Sequence, residues 1–229
     1  MLITRSEPGA AETARRIVGL NLVPVIAPLL TIRAVPAALP PADRLQAMLA
    51  TSGNAVDCLL GMHRHLPLLA VGAATAARAR RAGYLAVHSA DGDAAALAAL
   101  AQKLCDPKGL PLLVAAGAGQ GTALVAALRE SGFRVRRRTV YAADPAPVLP
   151  GPAQRWLRER RLRAALFFST AAARVFVRLV QHSALASETA TVEALAIGTA
   201  AAAALAPLPW QRVRVALRPN QDELLALLP

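Results

Sequence analysis

Lysine is almost missing from this sequence. Lys103 and Lys108 are the only two among 26 basic residues, so arginine carries nearly all of a formal net charge of +12. Arginine grips carboxylates and phosphates with a planar fork of donors. A basic surface draws in a polyanionic ligand over long range. An Ala/Arg/Pro/Gly-rich composition accounts for the amount of arginine equally well. Aromatic residues make up only 3%. Tyr84, Tyr141, Trp156 and Trp210 form no aromatic–basic platform for stacked bases, so nucleic-acid binding rests on charge alone and is set aside. Cysteine is limited to Cys58 and Cys105, without Cys-x-x-Cys spacing. Neither a disulfide framework nor a zinc site is indicated, and the cytoplasm is the default compartment. His63 and His65 form a His-x-His pair with no accompanying carboxylate or second histidine pair. They read as a solvated turn ahead of Pro67, so no metal is expected. No apolar run approaches the ~18 residues of a membrane span. The longest candidate, residues 198–206, is alanine-rich and stops at Pro207. Residues 1–5 lack a basic segment ahead of an apolar one and read as a first strand, not a signal peptide.

What is present is organised around residues 69–84, LAVGAATAARARRAGY. A short apolar run meets Gly72, and an Ala/Arg segment with helical character follows Thr75. The pattern is a buried strand, a tight turn and a helix. Unpaired N–H groups and the positive dipole end at a helix start can hold an anion. The stretch has an echo in residues 195–205, LAIGTAAAAAL, 126 residues later from Gly72 to Gly198. One anion-ready turn used twice suggests two similar lobes, and 229 residues suffice for them.

Taken in order, residues 1–4 predict a strand and Pro8 opens a helix to about Leu20. Its expected inner face is Ala11, Ala14 and Val18. Strands follow at 23–27 and 45–50, with prolines 36, 40 and 41 marking a linker between them. The helix after Ser52 is expected to turn Val56, Leu59 and Leu60 inward. Further strands are expected at 84–88, 110–115, 133–141, 162–168 and 213–217. Asp93 is a predicted N-cap, and the run Gly117-Ala118-Gly119-Gln120-Gly121 reads as a turn rather than a nucleotide loop. Arg134, Arg136, Arg137 and Arg138 read as a solvated strand edge. Prolines 145, 147, 150 and 152 form a second linker. The clearest helix places Ala172, Val175, Phe176, Leu179 and Val180 on one face. The last helix begins after a capping Asn220.

Two series of strand–helix units align. One runs through Thr51-Ser52, Gly72, Leu97 and Gly117. The other runs through Ser169-Thr170, Gly198 and Leu224, and finds its fourth unit at the opposite end of the chain, in residues 1–28. The simplest architecture is α/β: two lobes, each a parallel sheet flanked by helices with right-handed crossovers. Residues 1–33 plus 146–229 form one lobe, and 37–139 an inserted second. The linkers, 31–36 and 138–145, are extended and suited to pair as a two-stranded ladder. Ligands of open parallel sheets bind beyond the carboxyl ends of the strands. Ser52, Gly72, Thr75, Ser169, Gly198 and Thr199 all stand at such ends. A cleft lined by hydroxyls and helix starts is expected there, without a catalytic carboxylate pair or nucleophile triad.

These residues resemble the uroporphyrinogen-III synthase family. The likeness is carried by Leu2-Ile3-Thr4-Arg5-x-Glu7, Ala27-Pro28-Leu29 and Ala50-Thr51-Ser52-Gly53-Asn54-Ala55-Val56. It continues through Ala70-Val71-Gly72-x-x-Thr75-Ala76, Gly132 to Val140-Tyr141, Phe167-Phe168-Ser169 and Ala196-Ile197-Gly198. The resemblance implies an enzyme, a cyclising hydro-lyase of heme biosynthesis. Its substrate would be hydroxymethylbilane, a linear tetrapyrrole with eight carboxylates, closed to uroporphyrinogen III with inversion of ring D and loss of water. It implies no cofactor, no metal, no nucleic acid and no membrane, and a cytoplasmic monomer with possible hand-over from the preceding pathway enzyme. Positioning and preorganised electrostatics can carry such chemistry.

The same resemblance places Tyr141 as the catalytic residue, its hydroxyl assisting departure of the substrate's hydroxyl. Ser52, Gly72, Thr75, Ser169, Gly198 and Thr199 would bind substrate, although the serines and threonines would cap helices in any case. Arg5 stands at a strand end, either in reach of a carboxylate or solvated. Family threonines often follow the second glycine by two or three residues. Here Ala200 and Ala201 occupy those positions. That departure keeps open an alternative, a non-catalytic two-lobe binder of an anionic small molecule.

Overall fold

The structure is a computed structural model that describes residues 1–228. In chain order it begins with β1 (Leu2–Ile3), α1 (Gly9–Gly19) and β2 (Val25–Ile26). It continues through β3 (Leu30–Ala34), β4 (Ala47–Ala50), α2 (Gly53–Cys58), β5 (Leu68–Ala70), α3 (Ala73–Arg81) and β6 (Val87–Ser89). Next come α4 (Ala94–Leu104), β7 (Leu112–Gly117), α5 (Thr122–Glu130) and β8 (Val135–Pro145). The chain ends with α6 (Gly151–Arg158), β9 (Ala164–Phe167), α7 (Thr170–His182), β10 (Glu193–Ala196), α8 (Thr199–Leu205), β11 (Arg212–Val215) and α9 (Gln221–Leu225). Two compact units result: Met1–Thr31 with the chain from Asp144 onward, and Ile32–Ala143.

The first unit is a five-stranded sheet in the order β11-β10-β9-β1-β2, with every recorded pairing parallel. The second has the order β3-β8-β7-β4-β5-β6. Leaving β3 aside, the second order read backwards matches the first strand by strand: β6 with β11, β5 with β10, β4 with β9, β7 with β1 and β8 with β2. The repeat is therefore permuted, since β1 and β2 open the chain while their counterparts close the inserted series. The linker strands β3 and β8 lie side by side, and Val35 N–H donates to the Val140 carbonyl at 2.9 Å.

Helix α7 buries the predicted Ala172, Val175, Phe176, Leu179 and Val180. Phe176 and Phe167 meet edge-on at 5.2 Å between ring centroids, and Trp210 stacks on Phe176 at 5.5 Å. Burying each such ring is worth about 2–3 kcal/mol, so a chain poor in aromatics spends three on one core. The inner face of α1 differs from expectation. Ala10, Thr13, Ala14 and Ile17 are buried, whereas Val18 is 58% exposed and Ala11 faces solvent. The same three-and-four spacing fits a stripe one residue earlier. Thr13 can sit in it because its hydroxyl donates to the Gly9 carbonyl at 2.9 Å. Leu60 also departs from expectation. Helix α2 ends at Cys58, and Leu60 adopts a left-handed φ of +49° with its side chain exposed. Strand β6 starts later than predicted; Tyr84 precedes it as a buried side chain whose hydroxyl donates to the Met62 carbonyl at 3.1 Å.

Candidate functional site

Within the inserted unit, strands β8, β7, β4 and β5 are neighbours, and their carboxyl ends bring the candidate residues together. Strand β4 runs out through Thr51 into Ser52, whose extended backbone (φ −164°, ψ 161°) suits an N-cap. The Ser52 Oγ accepts the Ala55 N–H at 3.3 Å, tying the hydroxyl to the first turn of α2. Beside it, the β7–β8 pairing shifts register between Ala116 and Gly117, so that Ala116 faces Thr139 but Gly117 faces Tyr141. Such an irregularity re-aims the side chains beyond it. The Tyr141 hydroxyl lies 3.0 Å from Ser52 Oγ and donates to Gln120 Oε1 at 2.9 Å. A phenol has one proton. With that proton on Gln120, Ser52 is the donor to Tyr141, and the order of donation runs from Ala55 N–H through Ser52 and Tyr141 to Gln120.

Tyr141 is 3% exposed. Burial pushes its phenol above the ordinary value, and the side-chain hydrogen bonds with Ser52 and Gln120 pull it part of the way back. The group is thus a neutral hydroxyl near pH 7, a proton source and not a phenolate. Gln120 sits on a turn between Gly119 (φ +70°) and Gly121 (φ +80°), conformations that favour glycine. Arg137 fastens this turn at both ends, donating Nε to the Gln120 carbonyl at 2.8 Å and Nη2 to the Gly117 carbonyl at 3.2 Å. The expected solvated arginine edge is in this respect a clamp. Arg134 and Arg138 likewise bond the Gly109 and Ala38 carbonyls.

Gly72 ends the next strand and caps α3 with an extended backbone (φ −162°). Thr75, in the first turn, is 7% exposed. The other unit repeats the row on β1, β9 and β10. Ser169 caps α7, its Oγ accepting Ala172 N–H at 3.1 Å. Gly198 caps α8 with φ −178°. Thr199 and Ala200 are exposed, and Ala201 is 1% exposed at the place that Thr75 holds after Gly72. The hydroxyl has moved from the buried third position to the exposed first.

Arg5 follows β1 and is not a freely solvated side chain. Its Nη1 donates to Gln221 Oε1 at 2.8 Å and to Thr13 Oγ1 at 3.3 Å, and its guanidinium lies 4.5 Å from the Phe168 ring centroid. The His63 ring bonds the Pro40 carbonyl at 2.9 Å. Among the described residues no group of three His, Cys, Asp or Glu side chains could hold a metal ion, and no helix is long and apolar enough to cross a membrane. Sequence reasoning missed Gln120, Gly117 and Arg137 as parts of the site. Three glycines in five residues after a buried strand were the available signal.

The model of the family described as uroporphyrinogen-III synthase HemD matches residues 11–226. The chain belongs to the uroporphyrinogen-III synthase family. As a member it is a cyclising enzyme of porphyrin and heme biosynthesis, closing hydroxymethylbilane to uroporphyrinogen III with inversion of ring D and loss of water. Two solved structures share the fold. The uroporphyrinogen-III synthetase of Helicobacter pylori 26695 is 18% identical, with a TM-score of 0.65 over 99% of this chain and 96% of that one. A mutant uroporphyrinogen III synthase of the extremely thermophilic bacterium Thermus thermophilus is 21% identical, with a TM-score of 0.56 over 98% and 95%. No curated protein matches the sequence. In this chain the shared fold is α/β, with parallel sheets flanked by helices.

Proposed function

We propose that Tyr141 is the proton donor of the cyclisation and that the helix starts of both units hold the substrate's carboxylates. The observation that carries this reading is the hydrogen-bonded sequence Ser52–Tyr141–Gln120, which presents a neutral phenol at the rim of a parallel sheet. In the first step the C–O bond of the hydroxymethyl group breaks and its electron pair leaves with oxygen. The Tyr141 proton goes to that oxygen, so water departs. A pyrrole nitrogen lone pair fills the vacancy and gives an azafulvene-type electrophile. The substituted carbon of ring D attacks, and the spiro intermediate reopens and recloses at the other carbon. The final return to an aromatic pyrrole releases one proton, which restores the phenol. Proton transfer of this kind contributes typically ~10²–10⁴-fold.

The carboxylates are proposed to lie on Ser52, Gly72 and Thr75 in one unit and on Arg5, Ser169, Gly198 and Thr199 in the other. Backbone N–H groups at helix starts suit anions, and an arginine already squared against Phe168 is preorganised to receive one. The enzyme is proposed to act as a cytoplasmic monomer. Both cysteines are free thiols, and one chain supplies both repeats. Hydroxymethylbilane closes unaided to the uninverted isomer, so direct hand-over from the enzyme that makes it would limit that loss.

The test is isomer analysis of the oxidised product after incubation with enzymatically generated hydroxymethylbilane. The type III isomer is expected from the natural chain, and a Tyr141→Phe variant should form it at least ~10²-fold more slowly. Type I alone from the natural chain would mark a non-catalytic binder. Unchanged turnover in the variant would remove Tyr141 from the mechanism.

A further inference from the structure

The hydrogen-bond order at Tyr141 has a consequence for the resting enzyme. A phenol that donates its proton to Gln120 cannot at the same time donate it to a substrate. The partner that accepts this proton, Gln120, must give way, while Ser52 can stay as donor. Ser52 is anchored, because its Oγ also accepts the Ala55 N–H. Gln120 is different. Its side chain is exposed, and glycines with left-handed φ of +70° and +80° flank it. The exposed partner is the one a ligand can replace.

We propose that Gln120 is a positioning residue that parks the Tyr141 proton and occupies, with its amide oxygen, the place the substrate's leaving hydroxyl takes. The proposal rests on the reading of Tyr141 as proton donor. In the free enzyme Gln120 covers the phenol and keeps its proton pointed at a single acceptor. Arg137 holds the turn's backbone through the Gly117 and Gln120 carbonyls, so only the Gln120 side chain has to swing. A substrate oxygen arriving at the same position inherits an aimed proton. Gln120 thereby competes with the substrate for it, and the strength of the competing acceptor sets how readily the proton is released.

Two near-isosteric variants grade that strength. Gln120→Met keeps the cover and removes the acceptor; Gln120→Glu keeps the geometry and makes the acceptor a charged one. Hydrogen bonds to charged groups are roughly twice as strong as neutral ones. With Gln120→Met, kcat/KM is expected to rise about three- to fivefold, the equilibrium worth of one ordinary hydrogen bond. With Gln120→Glu, kcat/KM is expected to fall about tenfold or more. Repulsion between the new carboxylate and those of the substrate would lower kcat/KM as well, and salt screens it, so the loss that persists at high salt is the one assigned to the stronger acceptor.

The second readout is the Cζ resonance of Tyr141 in protein carrying 13Cζ-tyrosine, assigned with Tyr141→Phe. Cζ moves toward the phenolate position as the phenolic proton is pulled harder. The Met variant should move it away from that position, and the Glu variant toward it. An unmoved resonance in both variants would overturn the parked proton. A kcat/KM in the Met variant that falls as it does in the Glu variant would overturn the competition, since Gln120 would then be needed rather than displaced. If Tyr141→Phe turns over as fast as the natural chain, the reading of Tyr141 fails, and the resonance still reports on the Gln120 contact by itself.

Discussion

Gly117 leaves the space that the Tyr141 ring occupies. A Cβ at Gly117 would stand 2.6 Å from Tyr141 Cζ and 2.9 Å from its Oη, closer than carbon atoms approach without something moving. The glycine is needed here for the approach of a side chain, since its backbone does not lie in the left-handed region. A Gly117→Ala substitution should push the ring off Ser52 and Gln120. Overpacking of this kind costs about 1–3 kcal/mol. Turnover should fall about tenfold or more, because positioned catalysis tolerates little displacement. Urea unfolding and product formation measured side by side check both. Full activity at reduced stability would mean that the hydroxyl's position is not critical.

Much of the fold was legible because it is local. Five of the seven apolar residues that helix α7 buries stand at plain helical spacing, and Ser52, Ser169, Asp93 and Asn220 sit where caps must sit. The permuted repeat was legible because each unit carries its own strand-end turn. The α1 face was not, since the competing stripe includes a threonine whose burial depends on a bond to Gly9. The Tyr141–Gln120 contact was invisible for a longer-range reason. It depends on a register shift between β7 and β8 that no local pattern records. Arg137 was hidden among neighbouring arginines, because only the shape of the facing turn singles it out as a clamp.

Ser52 and Ser169 occupy equivalent places and cap equivalent helices, yet only Ser52 bonds a tyrosine. Replacing either by alanine removes a cap worth about 1 kcal/mol. In urea, Ser52→Ala should lose about 1 kcal/mol more than Ser169→Ala, because it also removes the hydrogen bond to the buried Tyr141. Ser52→Ala should lose more kcat than Ser169→Ala, because it also frees Tyr141 from one of its two partners. Equal effects on kcat would mean that the Ser52–Tyr141 bond has no part in the chemistry.

Alkaline stability should report Tyr84. Burial pushes its phenol up to about 12, against a slight pull downward from Arg64. The unfolded chain releases this proton near pH ~10, whereas the folded chain keeps it to about 12. In that window the folded state binds more protons, so stability falls as pH rises, and below it the contribution is fully present. The loss by pH ~12 is on the order of 2 kcal/mol. Lysines, which titrate in the same range, number only two in this chain. Urea midpoints between pH ~9 and ~12 should decline less steeply in Tyr84→Phe, with Tyr141, Cys58 and Cys105, all raised by burial, contributing to what remains. Identical slopes would mean that Tyr84 ionises alike in both states.

Gly72 and Gly198 pose the sharpest question about substrate. Each caps a helix at a strand end, and each has an extended backbone that any residue adopts. A Cβ added to either would meet nothing within 4 Å. Neither conformation nor crowding inside the protein accounts for glycine there. The neighbouring helices α2 and α7 use serine in the corresponding role, and serine caps better than glycine. Within the chain alone, Gly72→Ser and Gly198→Ser should therefore leave stability unchanged or raise it by a few tenths of a kcal/mol. If the open space is where substrate carboxylates approach the helix starts, the same substitutions should raise KM about tenfold, with kcat less affected. Combining the two should multiply their effects if each glycine meets a separate carboxylate. Variants that are as stable as the natural chain and bind as tightly would show that the substrate does not approach these two turns.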